Sequence, residues 1–520
     1  MKKILIIGGG LSGLATGVYA CKAGYDVTII EKNDDVGGLC TTWTIDGCQI
    51  DGCIHWLTGS STGRMEPIYK ELGIYDNMSI FKPSFFYKFY YKDITIELSR
   101  DIDELENQLL AYALDQNDEN GIKAFIKLVK KFRKCPLHSG KPINTMKTIE
   151  ILGYIKSISG IALVWNKAIK MSLLDLSNKF HSDVLKHFFL SFMPPYYSAI
   201  YFIGIVSQFT SNNADTIYNS SKDFAYLIKN NFLNLGGKII TEEEIVKLNI
   251  ENNIIESIES KNSNKYYADY IINASPLHYF YDKLLPEQYH DKYVEQIFGD
   301  TKKYPLISTV YISMKIDKDY KGNLDHFILI YDEEGITVGS SHNETIHYRA
   351  YPYNKNEDGS FTLISLVDLH VDDYEIFKKA KEDGTYKELK YGIAQKALDI
   401  FVKKFNDVKD HISIVDVATP LSFENKTNTY KGAYLSNLAT PFGERKDFRI
   451  KDKYILNLYY SGQWLTQIGG IPRSLTNGKF VIDELTYFEN KMKKKIKKNK
   501  AKKQVKWWKK SSLYFLKFSC

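Results

Sequence analysis

Three glycines, an acid and a second glycine pair near the N-terminus have the types and spacing for dinucleotide chemistry. Within Lys2–Thr42 they run Gly8-x-Gly10-x-x-Gly13, then Glu31, then Gly37-Gly38. Gly8 permits a tight turn, Gly10 lets backbone approach a pyrophosphate, and Gly13 lets a helix pack closely on a strand. Ser12 can add a hydroxyl donor. Glu31, eighteen residues after Gly13, can accept from both ribose hydroxyls and would repel a 2′-phosphate, so NADP is not expected. Gly37-Gly38 implies a further close approach of backbone to the cofactor and tilts the choice from NAD to FAD. Lys32 and Gly38 join the candidate binding residues.

These groups work only if regular elements hold them. The apolar run Ile4–Ile7 reads as a strand, the segment ending near Gly24 as a helix, and Val27–Ile30 as a second strand. The helix points its N-terminal N–H groups and dipole at the phosphates. Elsewhere there is no Ser/His/Asp nucleophile arrangement, no carboxylate pair at readable spacing and no second GxGxxG. A built-in NAD(P)H domain is therefore not expected.

Four stretches together carry a family resemblance: GGGLSGLATG, EKNDDVGGLCTT, IDGCIHWL at Ile50–Leu57, and SGQWLTQIGGIPRSLTNGK at Ser461–Lys479. The chain resembles the FAD-dependent phytoene desaturase, carotenoid isomerase and retinol saturase family. The resemblance implies that the C-terminal motif closes over the flavin, with Gly462, Gly470 and Ile471 at the ring and the glycines at a helix start. It implies that Ile245 meets adenine through its backbone, and that His55 belongs to a residue pair beside the flavin. Cys53 stands where the family pattern has Gly, and Asn219-Ser220-Ser221 where it has Gly-Gly-Ser. His55 has two readings, a proton donor near the flavin or a histidine hydrogen-bonded in the pocket wall.

At 520 residues the chain is expected to divide into at least two domains. Its six cysteines show no CxxC pair and no His partner at metal spacing, which reads as reduced thiols in the cytosol. A signal peptide is not expected ahead of a strand that starts at residue 4. Net charge is +7, yet residues 491–520 hold thirteen lysines and no acid, which leaves the body at −6 and argues against a nucleic-acid partner.

Further along, Trp43–Ile50 reads as strands around a turn at Asp46-Gly47, Pro67–Leu72 as a helix, and Phe81–Leu98 as an aromatic hairpin turning near Lys92-Asp93. Asp101–Lys134 has helical periodicity with Asp101 as N-cap. Phe188–Ala214 has no charge across twenty-seven positions, but Pro194-Pro195 divides it and leaves fourteen uncharged residues to Phe209, too few to span a bilayer. Two buried helices are expected there, forming either a cap over a substrate passage, as the resemblance implies, or an ordinary core pair. Asp223–Leu235 reads as a helix. Strands follow through residues 238–260, with returns at Tyr266–Pro276 and Tyr454–Tyr460. Pro305–Ile316 and Phe361–Val367 read as strands and Tyr374–Phe405 as a helix.

The expected class is α/β, a discontinuous Rossmann-like FAD-binding domain (residues 1–75, 215–276 and 450–488) with an α+β substrate domain (76–214 and 277–449) and a basic aromatic tail (489–520). The resemblance implies desaturation, saturation or isomerisation of an apolar polyene. The alternatives are a flavin amine oxidase, a sugar mutase, for which arginines are too few, and a non-enzymatic lipid-binding protein like the GDP-dissociation inhibitors. The tail, with Trp507, Trp508, Tyr514, Phe515 and Phe518, reads either as a peripheral anchor on an anionic membrane or as a solvated extension.

Overall fold

In a computed structural model, which describes residues 1–61, 63–218, 220–443 and 448–515, the N-terminal apolar run is the middle strand of a parallel five-stranded sheet. The order is Lys238–Ile240, Asp26–Ile30, Lys3–Ile7, Tyr270–Asn273, Leu458–Tyr460. Every neighbouring pair is parallel, so strands from three distant parts of the chain meet in register. Ile4–Ile7 are all buried, as a parallel sheet covered on both faces requires. The glycine-loop helix, Leu11–Lys22, packs between Ser221–Asn234 and the long C-terminal helix that begins at Gly470. Gly478 makes that second contact possible: a Cβ there would lie 2.9 Å from Ala15 Cβ.

A second, seven-stranded sheet runs Ile412–Ala418, Ile307–Ile316, Phe361–His370, Ser341–Lys355, Phe327–Val338, Phe85–Tyr91, Ile94–Ser99. All pairs are antiparallel except Phe327–Val338 with Phe85–Tyr91. One face packs on the helix Tyr386–Lys404 through Tyr348, Ala350 and Ile364's neighbour Leu363. By period-two alternation the other face carries His347, Arg349 and Tyr351. Over it sits a helical layer that includes Ile102–Leu110, Gln116–Phe132, Thr148–Ile169, Asp183–Leu190 and Ile200–Thr210. Phe125, Phe188, Phe189 and Phe202 form its aromatic centre.

The hairpin turns at Asp46-Gly47 and Lys92 are present, each with a residue at positive φ. Asp101 caps its helix, its carboxylate accepting from the Asp103 and Glu104 N–H groups. The expected run to Lys134 is two helices, because Asp115 accepts from Asp118 N–H and starts a new one. The expected Tyr374–Phe405 helix likewise breaks, at Gly384 with φ 76°. The Tyr454–Tyr460 strand shortens to Leu458–Tyr460 because Asp452 Oδ1 takes the Tyr454 and Ile455 N–H groups, at 2.7 and 2.6 Å, into a local turn. Phe361–Val367 instead extends to His370. Pro194-Pro195 does separate two helices. Among the described residues no helix is long and apolar enough to cross a membrane. The tail continues the C-terminal helix to Phe515; the side chains of Trp507, Trp508, Tyr514 and Phe515, and all of Phe518, lie outside what is described.

Candidate functional site

One cavity of about 850 Å³ lies between the parallel sheet, the seven-stranded sheet and the helical layer. Its first end is the glycine loop. Gly8 leaves the strand at φ 104°. A Cβ on Gly13 would stand 2.0 Å from the Gly8 carbonyl oxygen, so only glycine fits where the helix crosses the strand. A Cβ on Gly10 would meet nothing nearer than Gly38 Cα at 4.0 Å and would project into open space. Gly37 N–H donates to the Gly9 carbonyl at 2.9 Å, which brings the second glycine pair against the first.

The other predicted binding residues gather here with two differences of detail. Gly8, Gly10, Ser12, Glu31, Lys32, Gly38, Ile245, Gly462, Gly470 and Ile471 all line the cavity, and Gly13 packs just behind it. Glu31 accepts from Gly9 N–H at 2.7 Å and from Asn33 at 2.9 and 2.8 Å, which uses three of roughly four lone-pair positions. The Lys32 ammonium donates to Asn428 Oδ1 at 2.6 Å rather than entering the cavity as a free cation. The Gly470 N–H, at the start of its helix, donates to Gln463 Oε1 at 2.8 Å.

Cys53, in place of the family's glycine, lies in the cavity wall, its N–H on Asp51 Oδ1. Ser221, the last residue of the Asn219-Ser220-Ser221 stretch, ties this loop down: its hydroxyl bonds Asp51 and accepts from Ile54 N–H at 2.8 Å. Burial raises the Asp51 carboxyl to about 6 despite those bonds. Asn219 lies outside the described residues.

His55 lines the cavity with Nδ1 3.3 Å from the Tyr351 hydroxyl and its ring stacked on Tyr311 at 6.4 Å. Desolvation, then the nearby Arg349 and His347, hold its pKa well below the usual histidine range. At neutral pH the ring is uncharged: it can share a hydrogen bond but has no imidazolium proton to give.

The second end is apolar and is roofed by the helical layer through Phe132, Trp165, Ile169, Ile200, Gly204 and Ile205. The uncharged stretch Phe188–Ala214 thus does line the cavity, and Phe192 serves both cavity and core, with Tyr87 stacked on it at 5.6 Å.

Sequence reasoning missed Asp368 and Tyr434. Both line the cavity, and the Tyr434 hydroxyl donates to Asp368 Oδ1 at 3.2 Å. Burial pushes Asp368 up to about 7, against that hydrogen bond. The signal was an acid inside the apolar strand FTLISLVDLH, where the expected strand stopped one residue short.

Residues 6–72 match the NAD(P)-binding Rossmann-like domain family. Over nearly the whole chain the sequence is similar to a 4,4′-diaponeurosporene oxygenase of Staphylococcus haemolyticus, 22% identical across 94% of this chain and 98% of that one. It is equally similar to a 4,4′-diapophytoene desaturase of Staphylococcus aureus, 22% identical across 93% and 98%. Both of these relatives are carotenoid-modifying enzymes by name. The fold is also that of putrescine oxidase, with a TM-score of 0.58 at 13% identity, covering 93% of this chain and 99% of that one.

Proposed function

We propose that this protein is an FAD-dependent oxidoreductase acting on carbon–carbon bonds of an extended apolar polyene, by desaturation, saturation or isomerisation. The observation that carries the reading is the continuity of one cavity from a glycine-and-carboxylate end to an apolar end under the helical layer. The full-length similarity to carotenoid enzymes favours it over an amine oxidase, for which the putrescine oxidase likeness supports the fold alone.

The residues present fit FAD. Gly10 leaves a space that a Cβ would enter, and Thr466 Oγ1, in the cavity wall, is buried without a partner. Gly8, Gly10, Ser12 and Gly38 would hold the pyrophosphate, with Gly13 letting the helix close on the strand behind them, the remaining lone pair of Glu31 the ribose, and Ile245 the adenine. Gly462, Gly470 and Ile471 would meet the ring. When bound, FAD supplies hydride or electron chemistry. The chain's own work is to orient the substrate, exclude water under Phe188–Ala214 and hold protons. The Asp368 carboxyl is suited to the last task, since a carboxyl titrating near 7 both gives and takes a proton at neutral pH. His55 is a neutral wall residue that positions Tyr351.

The discontinuous cofactor domain is residues 1–75, 215–276 and 450–488, with 76–214 and 277–449 as the substrate domain. An apolar substrate is dissolved in membrane, and two features support peripheral attachment. One is the lysine-rich tail. The other is the helix Thr148–Ile169, whose Trp165 and Ile169 line the cavity while Ile149, Leu152 and Ile155 are exposed, beside a groove of Lys127, Lys131, Lys134 and Lys156.

The test is to incubate the flavin-loaded protein with carotenoid and retinoid hydrocarbons and, separately, with di- and polyamines. Chromatography should reveal altered polyenes. Rapid bleaching of the flavin by amines with every polyene unchanged gives the amine oxidase reading instead.

A further inference from the structure

Cys40 and Cys53 face each other across the base of the hairpin that leads to His55. Thr42–Ile45 and Cys48–Asp51 pair antiparallel around Asp46-Gly47, with Thr42 opposite Asp51. One step beyond that ladder, Gly52 N–H donates to the Thr41 carbonyl at 3.0 Å. The bond makes Thr41 and Gly52 a hydrogen-bonded pair, so the next pair out, Cys40 with Cys53, falls in the non-hydrogen-bonded class. In that class the side chains share a face and facing Cα atoms stand about 4.5 Å apart, within the roughly 4.4–6.8 Å that a disulfide spans. The two thiols are in hydrogen-bonding reach of each other, and both are free. Cys48, at the turn end opposite Ile45, does not line the cavity.

Their surroundings give the two sulfurs different tasks. Both residues line the cavity, but Cys40 is 2% exposed, whereas Cys53 is half-buried and stands where the family pattern has glycine. The Cys40 thiol donates to the Ser221 carbonyl at 3.2 Å, and burial pushes its pKa well up, which keeps it protonated. The nucleophile in thiol oxidation is the thiolate. Cys53, on the open side, is therefore the sulfur that meets a small oxidant, and Cys40 the one that resolves the product. The loop between them and His55 is held in place, with Cys53 N–H on Asp51 Oδ1 and Ile54 N–H on the Ser221 hydroxyl. Those bonds keep the sulfurs opposed without a rearrangement of the chain.

We propose that Cys40 and Cys53 are a redox site in the cavity wall, joined as a disulfide by peroxide and separated again by a dithiol. This goes beyond the polyene reading and does not depend on it. The Cys53 thiolate attacks one peroxide oxygen, the O–O bond breaks and hydroxide leaves, which gives a sulfenic acid. Cys40 then attacks the Cys53 sulfur, the S–O bond breaks, and the oxygen leaves as water with the Cys40 proton. The proton first lost by Cys53 neutralises the hydroxide, so two thiols and one peroxide become one disulfide and two waters. The sulfurs are oxidised and the peroxide oxygens reduced. A dithiol reverses the bond by exchange, its own two sulfurs ending as a disulfide.

The experiment uses the full flavin-loaded chain, reduced with dithiothreitol, freed of it, treated with stoichiometric hydrogen peroxide and quenched with catalase. Remaining thiols are blocked with N-ethylmaleimide in denaturant, and the chain is cleaved ahead of its aspartates. Cuts before Asp46 and Asp51 put Cys40, Cys48 and Cys53 in three different fragments, so mass spectrometry reads which are joined. The wild type should lose two of its six thiols together, with the Cys40 fragment joined to the Cys53 fragment, and regain both in dithiothreitol. C53G should form no bridge. C40S lacks the resolving sulfur and should carry a dimedone label on Cys53, the mark of a trapped sulfenic acid, that the wild type lacks. Six free thiols after peroxide overturn the proposal, as does a bridge that includes Cys48. A wild type labelled by dimedone on Cys53 with no bridge to Cys40 overturns it too. Should either variant fail to fold, the wild-type fragment map decides alone.

Discussion

Replacing Asp368 by Asn removes one titration from the cavity wall while keeping an oxygen to accept from the Tyr434 hydroxyl. The wild-type carboxyl is raised from 3.8 to about 7 by burial. Between those values the folded protein holds a proton that the unfolded chain has released, so stability falls as pH rises through the window. A shift of about three units at about 1.4 kcal/mol each gives a loss of up to about 4 kcal/mol, complete above pH 7. The buried histidines slope the other way. His326 and His347 are lowered to about 3 and about 4, so the folded state lacks protons the unfolded chain binds below the usual histidine range, and stability rises with pH there. A wild-type profile alone would therefore mix opposite slopes. The difference between D368N and wild type isolates the carboxyl, because the histidines are common to both. Urea unfolding at fixed free FAD, repeated from about pH 4 to pH 8, should show D368N gaining on wild type by several kcal/mol toward the alkaline end. Parallel curves across that range would refute the desolvated carboxyl and with it the role of Asp368 as a proton holder.

Gly10→Val should fold with normal thermal stability as apoprotein, because the new Cβ meets open space, yet lose visible flavin absorption because the side chain occupies the pyrophosphate's approach; unchanged flavin content would move the phosphate site elsewhere. Gly204 lines the apolar end on the helix Ile200–Thr210 and a Cβ there contacts nothing within 4 Å. Gly204→Leu should therefore stabilise the helix by about 0.5–1 kcal/mol and at the same time depress kcat/KM for long polyenes with flavin intact. Equal activity on long and short polyenes would remove that helix from the passage. Truncation after Asn490 spares the Glu489 contacts to Lys2 and Tyr270, at 2.6 Å each, so flavin content should hold, while flotation with anionic vesicles should weaken, each nearby lysine contributing up to about 1 kcal/mol. If truncated and full-length chains float alike but an Ile149→Asp, Leu152→Asp double variant does not, attachment lies on the Thr148–Ile169 helix rather than the tail.

The parts of this protein that were legible in its sequence are those whose partners are close along the chain. Gly8, Gly10, Gly13 and Glu31 act within one strand–helix–strand unit, so their spacing carries their geometry. Asp101 caps the helix that follows it, and Asp46-Gly47 turns the hairpin that contains it. Where local chemistry competes with periodicity, periodicity overran it: Asp115, Asp383-Gly384 and Asp452 each cut an element that an apolar pattern extended. The cavity wall was illegible for a different reason. Tyr434 reaches Asp368 from 66 residues away, and Tyr351 meets His55 across 296, so neither pair has a spacing to read. Arg349 is intermediate. In His347-Tyr348-Arg349-Ala350-Tyr351 the odd positions are polar or titratable, and the even ones, Tyr348 and Ala350, pack on the Tyr386–Lys404 helix. That alternation places one face of the strand in the core and the other elsewhere. Ordinarily the other face is solvent, and a histidine and an arginine there need no explanation. Here the helical layer covers it, and the same pattern that would mark a wetted surface becomes a row of buried polar groups, of which His347 lines the cavity. The sequence of this strand therefore states which side chains share a face, and only the packing of the helical layer turns that face into a binding wall.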